Sequence, residues 1–160
     1  VTKKKSKNRY TGIEVLNLML NYEIEQAEEK TIRVNCAVEA YLCPVDETEL
    51  CIIMGNLFDN AIEAVKDLPD EQRQIDFAIQ NPNGIFRIEI LNPYEGERRK
   101  IEHHYLTTKK ENTEMHGLGL MSVQKIVEKY DGLIEISDED NVFRVVVSFY
   151  DEEVRDSAGT

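Results

Sequence analysis

The sequence is short of positive charge: 19 lysines and arginines face 31 aspartates and glutamates, a formal net charge of -12. A surface that acidic repels phosphate backbones and anionic headgroups, so no nucleic-acid partner and no direct membrane contact are expected. Cysteine is scarce too. Cys36, Cys43 and Cys51 are odd in number and lack CxxC spacing, which speaks against a disulfide framework and fits a reducing cytosol. A structural zinc site made from them with His103 and His104 would show tighter paired ligands. No apolar run approaches membrane-spanning length, and the opening VTKKKSKNRY lacks the apolar stretch of a signal peptide. Internal repeats and low-complexity linkers are also missing. The expectation is a soluble, cytoplasmic chain whose 160 residues, 41% of them hydrophobic, build one sizeable core.

What is present reads as alternating helices and strands. Residues 10–30 carry Ile13, Leu16, Leu20 and Ile24 in helical runs. Residues 31–39 alternate around Ile32, Val34, Cys36 and Val38 as a strand. The spacing predicts a long helix over 47–67, with acidic residues in its first turn to favour the helix dipole. Ile75, Phe77 and Ile79 alternate, the turn Asn81-Pro82-Asn83-Gly84 intervenes, and Phe86, Ile88 and Ile90 alternate again, which is a β-hairpin. A helix through Val123, Ile126 and Val127, then strands over 133–136 and 142–149, close the pattern. The polar stretch 92–116 is longer than an ordinary connection.

Three features carry chemistry. Glycines at a helix start let phosphate approach backbone N–H groups where the dipole is favourable, and Gly117-Leu118-Gly119-Leu120 fits that use. Alone it fits a helix break equally well. Thr107-Thr108-Lys109-Lys110 upstream adds hydroxyls and cations suited to phosphate. Asn56 and Asn60, four apart inside the long helix, stack on one face beside the buried stripe of Ile53, Leu57, Ala61 and Ala64. Asparagine is a mediocre helix former, and a neutral amide oxygen can ligate Mg²⁺ already held by phosphates without adding negative charge.

On these residues the chain resembles the GHKL superfamily of ATP-binding domains, shared by gyrase, heat-shock chaperone ATPases and sensor histidine kinases. MGNLFDNAIEAV resembles the superfamily's asparagine box, and HGLGLMSVQKIVEKYDG its final glycine box and helix in histidine kinases. VLNLMLNYEIEQAEEKTIRV is similar to the segment before that domain in kinases that sense peptide pheromones. The resemblance implies a two-layer α/β sandwich, the Bergerat fold, with a mixed, mostly antiparallel sheet packed on helices. Residues 1–30 would form a linker helix leading from dimerisation helices, 31–150 the ATP-binding domain with a lid over 94–116, and 151–160 a flexible tail.

By the same resemblance Asn60 matches the Mg²⁺-holding asparagine, and Asn56 the position of the hydrolytic glutamate in gyrase-like members. An asparagine is no general base, which argues for a kinase over an ATPase. Asn92 stands where most relatives place an aspartate that accepts from the adenine amino group, and Asn-Pro is common there in the pheromone-receptor branch. Glu63 stands where many kinases have lysine, so Lys109 or Lys110 of the lid would supply the positive charge. Catalysis thus falls to Asn56, Asn60 and Lys109, and metal binding to Asn60 and Asn56. ATP contacts fall to Asn56, Asn60, Glu63, Asn92, Thr107, Thr108, Lys109, His116, Gly117, Leu118, Gly119 and Leu120.

His103, His104 and His116 all lie in the lid region and none resembles a phosphoacceptor. The implied function is the catalytic domain of a sensor histidine kinase in a two-component system, the cytosolic piece of a membrane-bound receptor, with ATP and Mg²⁺ as cofactors. Its partners would be the phosphoacceptor and dimerisation helices of a longer protein and a response regulator. Two alternatives stand beside it: a nucleotide-sensing pseudokinase or interaction module, and a serine kinase of the anti-sigma type.

Overall fold

The computed structural model describes residues 11–95 and 118–151. The first helix, α1 (Glu14–Glu29), buries Leu16, Leu20, Glu23 and Ala27, a 4-3-4 spacing that lines one face. Its start is tied by a reciprocal pair. The Asn17 side chain accepts from the Thr11 N–H at 2.8 Å and donates to the Thr11 carbonyl at 2.8 Å. Thr31, at φ 58°, turns the chain out of the helix into β1 (Arg33–Val38). Helix α2 (Glu47–Val65) begins where Asp46 accepts from the Thr48 N–H at 2.9 Å, an N-cap that satisfies one orphan donor. Its buried face runs through Leu50, Ile53, Met54, Leu57, Phe58, Ala61, Ile62 and Val65.

The hairpin forms as its alternation predicts. Strands β2 (Gln74–Gln80) and β3 (Ile85–Pro93) pair antiparallel across a turn in which Asn83, at φ 53°, and Gly84, at φ 79°, reverse the chain. Helix α3 (Leu118–Lys129), β4 (Leu133–Ser137) and β5 (Val142–Tyr150) complete the described elements. The strands form one five-stranded sheet ordered β1-β2-β3-β5-β4, with β1 parallel to β2 and each other pair antiparallel. The inward residues of β2, β3 and β5 join the buried faces of the helices in one apolar core. This is the two-layer sandwich with a mixed, mostly antiparallel sheet that the resemblance implies. Helix α1 contributes Leu16, Leu20 and Ala27 to that same core.

Residues on the far face of the sheet pair across strands. Glu89 accepts from Arg144 Nε of β5 at 2.8 Å and also meets Arg87 of its own strand at 3.4 Å, and the Asp76 carboxylate accepts from Asn35 of β1 at 2.7 Å. Among the described residues, no helix is long and apolar enough to cross a membrane.

Candidate functional site

The site is built on the edge of α2 that its apolar face leaves free. Asn56 and Asn60 are both half-buried there, one turn apart. The Asn56 amide nitrogen donates to the Ile52 carbonyl at 2.8 Å, which fixes the amide plane and directs its oxygen toward α3. A β-carbon placed on Gly119 would stand 2.9 Å from that oxygen. The bare glycine is what lets the first turn of α3 come up against the asparagine box. Glu63, on the same edge and exposed, is held by Lys66 at 2.9 Å.

Helix α3 brings its N-terminus to this point because Leu120, Val123 and Val127 are buried against the core. The first N–H groups of a helix have no intrahelical acceptor and carry the positive end of its dipole, so that terminus suits an anion. At the other end of α3, Tyr130 donates to Glu49 of α2 at 2.9 Å and accepts from the Asp46 N–H at 3.1 Å. Lys129 donates to the same Glu49 oxygen at 2.7 Å. The Lys129 ammonium, then the Tyr130 hydroxyl, hold the Glu49 carboxyl below its usual range.

Asn92 lies on the helix-facing side of β3, opposite Phe143 in register, and is 2% exposed. Its amide nitrogen donates to the Pro93 carbonyl at 2.9 Å. Asn92 also borders a cleft of about 300 Å³ with Gln74, Asp76, Leu91 and Pro93, at the edge of the sheet face away from the helices. Tyr94 is 6% exposed; its N–H bonds to the Asn141 carbonyl at 3.1 Å and its hydroxyl to the Asp138 carbonyl at 3.2 Å. Tyr94, the first residue of the expected lid, is thus anchored to the turn before β5. Thr107, Thr108, Lys109, His116 and Gly117 lie outside the described residues, while Leu118, Gly119 and Leu120 open α3.

The structure thus brings Asn56 and Gly119 together, keeps Asn60 and Glu63 on the same edge of α2, and sets Asn92 on the helix-facing side of β3. Sequence reading passed over two features. Tyr130 and Glu49 are 81 positions apart, and no local pattern announces their bond. Glu23 had a signal: it is the charged member of the buried 4-3-4 spacing in α1. Among the described residues its Oε2 has no hydrogen-bond partner, and burial, then the charge of Asp59, raises its pKa to about 7.

The residues present suit a magnesium nucleotide: neutral amide oxygens for a cation already carrying phosphate charge, a helix N-terminus for phosphate, and no Cβ at Gly119 to crowd either. Comparison with known proteins gives the family and the fold. Over 96 residues, 59% of this chain and 18% of the other, it is 29% identical to a probable C4-dicarboxylate sensor kinase of Halalkalibacterium halodurans. Over 100 residues, 60% of this chain and 18% of the other, it is 28% identical to the sensor histidine kinase DpiB of Escherichia coli. The chain spans about a fifth of the length of these relatives. Its fold is that of the nucleotide-free catalytic domain of histidine kinase ThkA, with a TM-score of 0.66, 18% identity and coverage of 85% of this chain and 91% of that one. The mycobacterial sensor histidine kinase MprB follows at a TM-score of 0.63 and 16% identity, over 85% of this chain and 93% of that one. The sequence model of the GHKL domain matches residues 45–150, which take in the asparagine pair, Asn92 and α3, and the chain belongs to the GHKL domain family.

Proposed function

We propose that this chain is the ATP-binding catalytic domain of a sensor histidine kinase, donating the γ-phosphate of Mg-ATP to a histidine on a dimerisation helix of a longer protein. The observation that carries the reading is the contact of the Asn56 amide oxygen with Gly119. It joins the two motifs across 63 residues of sequence at a helix N-terminus. ATP bound with Mg²⁺ would supply the phosphoryl group, and this chain's residues would orient it. Asn60 and Asn56 would offer amide oxygens to the metal, the first N–H groups of α3 would face phosphate, and Asn92 would accept from adenine. Neither asparagine can take a proton from water, so transfer to a nucleophile that needs little deprotonation is favoured over hydrolysis. Lys109, Thr107, Thr108 and His116 of the lid, with Gly117 just after it, would complete the phosphate side.

The partners that follow are the phosphoacceptor helices and a response regulator, with the domain on the cytoplasmic side of a membrane receptor. Assignment to the peptide-pheromone branch rests on the stretch 15–34 and on the Asn92-Pro93 pair. The test is calorimetry with Mg-ADP on this chain, then autophosphorylation of a longer chain that includes the upstream helices. Mg²⁺-dependent binding and an acid-labile phosphoamino acid are expected. A folded sample that takes up no adenine nucleotide would move the reading to a pseudokinase, and an acid-stable product would move it to a serine kinase.

A further inference from the structure

Helix α3 meets α2 at two places. Gly119 lies against Asn56, and Lys129 with Tyr130 lies against Glu49 and Asp46. Residue 49 opposes the end of α3 and residue 56 its start, so the two helices run antiparallel. The surface between them is apolar, with Leu120, Val123, Ile126 and Val127 of α3 facing the core shared with α2. Apolar burial holds helices together without direction, and ridges can slide along grooves toward the next turn. Directional bonds are what fix the axial register. The Tyr130 hydroxyl supplies two of them, donating to Glu49 at 2.9 Å and accepting from the Asp46 N–H at 3.1 Å. Its ring is itself seated edge-on against Phe149 of β5, at 5.8 Å and 83°. Two residues on, Gly132 passes so close to β5 that a β-carbon would stand 2.6 Å from the Ser148 carbonyl. The C-terminal end of α3 is therefore locked to both the sheet and the start of α2.

We propose that Tyr130, through Glu49, is a positioning residue for the nucleotide site: it sets the axial register of α3, and so decides whether the first turn of α3 stands beside Asn56 and Asn60. The proposal rests on the nucleotide reading above. Tyr130 lies 11 positions from Gly119, about 16 Å along the helix, so it touches no ligand itself. The hydroxyl acts by lever rather than by contact. Glu49 is needed as an acceptor oxygen more than as a charge, and Lys129, largely exposed, can be spared.

The experiment compares Tyr130→Phe, Glu49→Gln and Glu49→Ala with wild type, reading Mg-ADP affinity by calorimetry, unfolding in urea, and the amide shifts of Gly119 and Leu120 by NMR. Tyr130→Phe keeps the ring on Phe149 and loses both bonds. It is expected to weaken Mg-ADP by about fivefold, as loss of one hydrogen bond's worth of positioning would, and to shift the Gly119 and Leu120 amides without ligand. Glu49→Gln, which keeps an acceptor oxygen, is expected to bind like wild type, and Glu49→Ala, which leaves the bond from the Asp46 N–H, to weaken Mg-ADP in the same direction as Tyr130→Phe but by less. Arg33→Ala is the control, since it removes bonds to the Asp70 and Glu71 carbonyls, past the C-terminal end of α2 rather than at its contact with α3, and is expected to lower stability without shifting the Gly119 and Leu120 amides. Equal Mg-ADP affinity in Tyr130→Phe, or an equal loss in Arg33→Ala at matched stability, overturns the proposal. If folded wild type takes up no Mg-ADP, the nucleotide reading falls and the positioning role falls with it, whereas the shifts of Gly119 and Leu120 still report whether Tyr130 sets the register.

Discussion

The amide oxygen of Asn56 occupies the space that a side chain on Gly119 would need, 2.9 Å from the position of its β-carbon. The obstacle is the end of a side chain rather than backbone, so it can swing away. Gly119→Ala is expected to fold at least as stably as wild type, since alanine is the better helix former by about 1 kcal/mol. It turns the Asn56 amide aside, and Mg-ADP affinity should fall by roughly tenfold. Thermal unfolding and calorimetry on one sample check both halves. Unchanged affinity would show that the Asn56 oxygen faces no ligand.

Gly132→Ala is the contrasting case. Here the β-carbon would stand 2.6 Å from the Ser148 carbonyl and 3.1 Å from the Phe149 ring. Backbone cannot swing aside, so the variant is expected to lose on the order of 2 kcal/mol of stability in urea. Wild-type stability would mean that β4 and β5 part easily at this point.

Asn60→Ala is expected to lose most of the Mg²⁺ dependence of ADP binding, because one of the two amide oxygens assigned to the metal is gone. Titrations of ADP at saturating Mg²⁺ and in EDTA measure this. A variant that keeps the wild-type metal dependence would assign the ligand elsewhere on α2.

Asn92→Ala removes one neutral hydrogen bond to adenine and is expected to cost about 1 kcal/mol of ADP affinity while narrowing the preference for ADP over GDP. The residue is 2% exposed and bonded to the Pro93 carbonyl, so circular dichroism must first establish that the variant is folded. Intact selectivity in a folded variant would remove Asn92 from base recognition.

Glu23 makes stability depend on pH. Its carboxyl has a pKa of about 7 in the folded chain against an ordinary 4.5, raised by burial and then by Asp59. Below about pH 4.5 both states hold the proton and the residue costs nothing. Between about 4.5 and 7 the unfolded chain releases the proton while the folded chain keeps it, so stability falls as pH rises, by up to about 3 kcal/mol, and levels off above 7. Glu23→Gln should remove that slope and be the more stable form at pH 8, by about 2 kcal/mol, with the advantage vanishing near pH 4.5. Urea unfolding at both pH values decides it. Parallel curves for the two proteins would place the proton elsewhere.

Much of this molecule is written locally. The 3.6-residue spacing of Leu50, Ile53, Leu57 and Ala61 defines α2, and the alternation of Ile75 to Ile79 and Phe86 to Ile90 defines the hairpin. Both repeats follow from which side chains must leave water. The asparagines were legible for the same reason, as amides out of place beside an apolar stripe. The sequence could also say that Gly119 opens a helix, because a glycine ahead of an apolar period is a local event. Only the tertiary structure decided what that glycine is for: α3 folds back across 63 residues to lay Gly119 against Asn56. It likewise decided that Tyr130 holds Glu49 and that Glu23 faces Asp59 rather than water. Such meetings depend on how helices pack in space. Side-chain periodicity reports which face of a helix is buried, but it carries no record of which residue on another element that face will meet.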